Sequence, residues 1–113
     1  MPAELGAYVQ LFGLEVRDPA RYAEYRARMT PLLHAHGGAF GIDLEVSRVL
    51  LGPAHAALNR VFWIQFASRE ASAAFFADPS YLAVRCEWFE GAVGTLVRLA
   101  EWHEPAGGRA ASA

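Results

Sequence analysis

Residues 34–46, HAHGGAFGIDLEV, bring two histidines and two carboxylates close together in sequence. Such a cluster could hold a metal or relay protons. A metal pair on a helix needs histidines at i and i+4, so that both rings share one face. His34 and His36 stand at i and i+2, on opposite sides of a helix. His34 reads as a helix-terminal residue whose ring meets the last carbonyls and the helix dipole. His36 falls in phase with Tyr25, Met29 and Leu33, and is expected to face the core. A buried imidazole needs a partner. That partner is either a backbone carbonyl, in a structural role, or a substrate at a cavity edge, where His36 would be a general base. Asp43 and Glu45 share one face of a strand. Paired carboxylates can divide acid and base work, and on an outer strand they also discourage edge-to-edge aggregation. A contact with Arg48 or Arg60 across a dimer is a further expectation.

The aromatic residues are the other store of binding chemistry. Trp63, Trp88 and Trp102 stand with Phe12, Phe62, Phe66, Phe75, Phe76 and Phe89. They could fill a core or an interface, or wall a pocket for a flat ligand. Gln65 lies in an apolar strand, so its amide should pair with a neighbour such as Gln10 or with a ligand. Cys86, the single cysteine, reads as a buried structural thiol with no base near it. His55 lies in a loop, and His103 lies near the chain end beside Trp102. No phosphate loop, nucleophile elbow or zinc motif is present in the sequence.

These residues must be positioned by six elements. Residues 8–16, YVQLFGLEV, form a largely buried strand. Asp18-Pro19 gives an N-cap and a first-turn proline, opening a helix to about His36. Tyr22, Tyr25, Met29, Leu32, Leu33 and His36 line one side of it. Pro31 sits on the opposite side, where a lost helix bond is cheapest, and should bend the helix. Gly37-Gly38 stops the helix. A second strand runs from 39 to 51, with a bulge near Ser47-Arg48 where its apolar phase slips. Residues 60–67, RVFWIQFA, are a third strand, apolar on both sides. Ser68 caps a helix over 69–77, and Asp78-Pro79 opens a further helical piece to about Phe89. A last strand covers 95–103, and the tail 105–113 is small, polar and expected to be disordered. Strand, helix, strand, strand, helix, strand is the ferredoxin-like βαββαβ order, an α+β fold with a four-stranded antiparallel sheet.

Size and composition fit one domain over residues 1–104. The chain has 113 residues, 54% hydrophobic and 19% charged, with a formal net charge of -2. There is no basic run to attract a phosphate backbone, so nucleic acid is not an expected partner. No stretch is apolar enough to span a bilayer and no signal peptide is evident, so a soluble cytoplasmic protein is expected. Helices cover one face of a ferredoxin-like sheet, yet these strands are apolar on both. A second copy packed sheet to sheet would cover the other face.

The stretches DPARYAEYRARMTPLLHAHGG and FWIQFASREASAAFFADPSYLAV resemble the two signatures of the DUF1330 family. The resemblance covers about residues 7–100 and implies the dimeric α+β barrel superfamily. That superfamily holds small monooxygenases of the antibiotic-biosynthesis type, muconolactone isomerases, haem-degrading enzymes, chlorite dismutases and stress proteins. The chain carries no histidine on its second helix, where the haem-degrading relatives hold their ligand. It departs from the family's pattern at Leu51-Gly52, where Glu-Gly is frequent, and at Trp88, where an Arg is frequent. A more apolar pocket is the expected result.

Two functions follow. One is a cofactor-free enzyme or binder of a small apolar or aromatic molecule, held between sheet and helices. Its expected lining is Tyr25, His36, Trp63, Gln65 and Tyr81, with His36 as proton acceptor and Tyr25 or Tyr81 as hydrogen-bond donor. The other is a non-catalytic homodimeric module in which the same aromatic residues are only core and interface.

Overall fold

In the computed structural model, described over residues 7–53 and 57–104, the chain forms β1 (Ala7–Val16), α1 (Pro19–Ala35), β2 (Ala39–Glu45), β3 (Arg60–Phe66), α2 (Arg69–Ala77), α3 (Pro79–Val84) and β4 (Val93–Glu104). The sheet order is β2-β3-β1-β4, and every neighbouring pair is antiparallel. This is the ferredoxin-like arrangement. His55 and the tail 105–113 lie outside the described residues.

The helix boundaries follow from their caps. Asp18 accepts the Arg21 amide at 3.1 Å ahead of Pro19. Ser68 accepts the Ala71 amide at 3.0 Å, and Asp78 accepts the Ser80 amide at 2.8 Å ahead of Pro79. α1 ends in a Schellman turn. The Gly38 amide returns to the Leu33 carbonyl and the Gly37 amide to that of His34, each at 2.9 Å. Gly37 has φ +76°, a conformation that an L side chain rarely takes. α1 continues through Pro31, which is exposed.

After α3 the chain widens into a single π turn over Arg85–Phe89. The Glu90 amide bonds back to the Arg85 carbonyl at 3.2 Å. π turns inserted into helices often mark functional sites.

β2 departs from expectation. It stops at Glu45, so residues 46–51 are not strand, and the register shift lies between Phe40 and Asp43 rather than at Ser47-Arg48. Asn59 explains the early end. Its carbonyl accepts the Val46 amide at 2.9 Å, while its side chain bonds both the amide and the carbonyl of Val16 on β1. The backbone beyond Val46 is thus released from the ladder.

Strand alternation divides the sheet into two faces. Tyr8, Gln10, Phe12, Leu14, Phe62, Ile64 and Phe66 point toward the helices. There they join Tyr22, Tyr25, Met29, Leu33, Phe75, Tyr81 and Phe89, and most of this set forms one buried cluster. Phe75 is its hub, with ring centroids 4.4 Å from Tyr81, 4.9 Å from Phe76 and 5.8 Å from Phe66.

The opposite face carries Leu11, Gly13, Leu44, Val61, Trp63, Gln65, Val97 and Trp102. No helix covers it among the described residues. Leu44 is 50% exposed and Leu99, in the bulge of β4, is 45% exposed. Trp63 lies flat over Gly41: a Cβ there would meet the indole nitrogen at 1.3 Å. Trp102 meets the Trp63 ring edge-on at 5.7 Å.

Candidate functional site

A cavity of about 270 Å³ opens between the sheet and the helices. Its floor is the helix-facing side of the sheet, including Phe12, Phe62 and Ile64, with Phe40 from β2. Its roof is Tyr22, Tyr25, Arg26 and Met29 from α1, with Tyr81 from α3, and Arg85 and Phe89 from the π turn. Helical spacing accounts for both sets. Tyr22, Tyr25, Arg26 and Met29 recur at three and four residues, and Tyr81, Arg85 and Phe89 recur at four.

The polar groups in this apolar wall are few and specific. The hydroxyls of Tyr25 and Tyr81 bond to each other at 2.8 Å and are buried. One of the two donates, so the acceptor's own proton remains available. Burial, reinforced by the Tyr81 hydroxyl, holds the Tyr25 proton far above the ordinary phenol range. Burial raises Tyr22 as well, against the opposing pull of Arg26. The Gln10 amide is buried, with one end tied to the Ser72 hydroxyl at 2.8 Å.

At one side of the wall stands an ion network. Asp43 accepts two bonds from Arg60, both 2.8 Å, and one from Arg26, also 2.8 Å. Arg26 bonds the Tyr22 hydroxyl at 3.0 Å and stacks on Phe40 with its guanidinium carbon 3.9 Å from the ring centroid. The Arg60 bonds hold the Asp43 carboxyl below its usual range, and Asp43 in turn raises Arg60. Asp43 therefore meets Arg60 within the chain itself.

The predicted residues fall in three places. Tyr25 and Tyr81 are in the cavity wall, 56 positions apart in sequence but hydrogen-bonded. Trp63 and Gln65 are on the opposite face of the sheet, because β3 alternates and Phe62, Ile64 and Phe66 take the helix side. Gln10 and Gln65 consequently point to opposite faces and cannot pair. His36 caps the C-terminal end of α1, outside the cavity lining. Its Nε2 is 2.8 Å from Asp78 Oδ2, its ring meets Phe75 edge-on at 5.8 Å, and its side chain is 26% exposed. The partner is thus a carboxylate at the junction of α2 and α3, rather than a backbone carbonyl. That bond lowers the Asp78 pKa.

The expectation of a buried Cys86 is corrected. Cys86 is exposed, next to Arg85 in sequence but turned away from the side that Arg85 and Phe89 share. Trp88 packs outside the cavity, between Arg21 at 5.0 Å and Arg28 at 4.7 Å from its ring centroid.

Residues 7–101 match the model of the DUF1330 family, a domain of unknown function. This chain is a member of that family. No curated protein matches its sequence. The fold recurs in a protein of unknown function from Rhodopseudomonas palustris, at 18% identity and a TM-score of 0.71, covering 89% of this chain and 81% of that one. It recurs in a protein described as of the dabb family with a ferredoxin-like fold, from Mesorhizobium loti, at 14% identity and a TM-score of 0.61, covering 87% and 94%. A protein from Thermobifida fusca described as dimeric and ferredoxin-like aligns at 13% identity and a TM-score of 0.54, covering 90% and 92%. At these identities the likeness concerns the fold.

Gln10, Arg26 and Arg85 are polar cavity residues that the sequence reading does not place there. Arg85 carried a signal. It stands four residues after Tyr81, on the same side of one helical segment. Gln10 enters the sequence reading only as a possible partner for Gln65.

Proposed function

We propose that this family member binds a small, largely apolar or aromatic molecule in the cavity between sheet and helices, without a resident cofactor. The observation that carries the reading is the cavity itself: about 270 Å³ walled by aromatic rings, with the Tyr25–Tyr81 hydroxyl pair set into the wall. Binding sites of this kind join an apolar lining to a few placed polar groups. In this reading Tyr25 and Tyr81 orient the ligand through the proton their mutual bond leaves over. His36, held by Asp78, steadies the contact between α1 and the α2–α3 junction.

We also propose that two copies associate through their open sheet faces. Leu44, Val97, Leu99 and the Trp63–Trp102 pair supply the apolar surface, and the dimeric description of the Thermobifida fusca protein supports the pairing.

Calorimetric titration with neutral aromatic probes such as indole and benzamide tests the first proposal. Saturable binding is expected, and Ile64→Phe, which fills the cavity, should abolish it while leaving the circular dichroism spectrum unchanged. If neither neutral nor anionic aromatic probes bind, or if the filled variant binds as well as wild type, the cavity is not a ligand site.

A further inference from the structure

Resting on the cavity reading, we infer that the ligand is an anion: a small aromatic or apolar carboxylate whose charge meets Arg85 and the Tyr25–Tyr81 pair. The wall contains two cations, Arg26 and Arg85, and neither aspartate nor glutamate. The two arginines differ in what already satisfies them. Arg26 is occupied by Asp43, the Tyr22 hydroxyl and the Phe40 ring. Arg85 has no acidic partner and no side-chain hydrogen bond among the described residues. Its guanidinium lies 4.7 Å from the centroid of Phe89, itself a wall residue, and its side chain is half-buried.

A guanidinium withdrawn from water without a counter-charge carries a desolvation cost that an incoming carboxylate offsets. Its planar fork also fits the two oxygens of a carboxylate better than a single neutral acceptor. The other polar feature points the same way. Two hydroxyls share one bond, so one proton of the pair is left to donate to a ligand. Donors and a cation, with no acid among them, select an acceptor-rich negative group. The rings of Phe62, Phe89 and Phe12 leave the rest of the ligand apolar.

The test compares aryl acids with neutral isosteres: benzoate with benzamide, phenylacetate with phenylacetamide, and cinnamate with cinnamamide. Each pair is titrated calorimetrically into the wild-type protein at pH 7. The acid of at least one pair should bind about tenfold tighter than its amide or better, and rising salt should weaken the acid alone. Arg85→Gln should reduce the acid to the level of the amide, and Arg85→Lys, keeping the charge without the fork, should retain part of the preference. Equal binding of acids and amides by the wild type would overturn the inference and leave the cavity reading intact. Failure of every acid and every amide to bind would overturn both. The wild-type comparison does not depend on how either variant folds.

Discussion

The two faces of the sheet are built from similar residues and end in different states. The helix-facing side buries Tyr25, Met29, Phe75 and Tyr81 to 5% exposure or less. The open side leaves Leu44, Val97 and Leu99 between 36% and 50% exposed. Strand alternation alone produces both, since successive residues of β1 and β3 are apolar and point in opposite directions. What separates them is the chain that follows each strand. The crossovers after β1 and β3 both place their helices on the same side. One face thereby becomes a core with a cavity, and the other carries no helix among the described residues.

Breaking the hub of the covered face should have the largest effect. Phe75→Ala removes a fully buried ring that meets Phe66, Phe76, Tyr81 and His36, and should cost about 3–5 kcal/mol, read from urea unfolding. On the open face the largest effect should be on assembly instead. Leu99→Glu should turn the proposed dimer into a monomer in sedimentation velocity while leaving the helix-side core folded. Gly41→Ala sharpens the contrast further. It displaces Trp63 from its seat and should lower stability by about 1–3 kcal/mol. Tyr81→Phe keeps the ring and removes the hydroxyl bond to Tyr25, with an expected loss of about 1 kcal/mol.

The smallest effect belongs to Asp43 at the cavity margin. Its carboxyl is held below its ordinary pKa by Arg60, so the folded state binds a proton less readily than the unfolded chain. The resulting stability is present above the unfolded carboxylate pKa and is lost as pH falls through the lowered one. Asp43→Asn should therefore flatten the acid limb of a stability–pH curve below about pH 4. At neutral pH it should cost only about 0.5 kcal/mol, because the ion network is partly exposed.

Much of this comparison is legible in the sequence. Asp18-Pro19, Ser68, Asp78-Pro79 and Gly37-Gly38 mark helix ends by local hydrogen bonding, and local signals survive folding. Tyr25 follows from α1 periodicity in the same way. The faces of β3 are harder to read, because a strand apolar on both sides does not reveal which side the helices take. For that reason the sequence places Trp63 and Gln65 at the cavity, whereas the structure puts them on the other face. His36 extends the α1 periodicity one turn too far: at the C-cap the backbone has already left the helical path, and the ring swings to Asp78. The end of β2 rests on Asn59, a long-range contact with β1 that no local pattern announces. The pairing of Tyr25 with Tyr81 joins two helices across the fold and has no signature in either.

The most direct test of the division of labour is methyl-resolved NMR of the protein during titration with benzoate. Met29 and Ile64 report the cavity, and Leu44, Val97 and Leu99 report the open face. Saturable shifts confined to Met29 and Ile64 are the predicted result. Shifts on Leu44, Val97 and Leu99, with Met29 and Ile64 unmoved, would contradict the account by placing the binding surface on the open face.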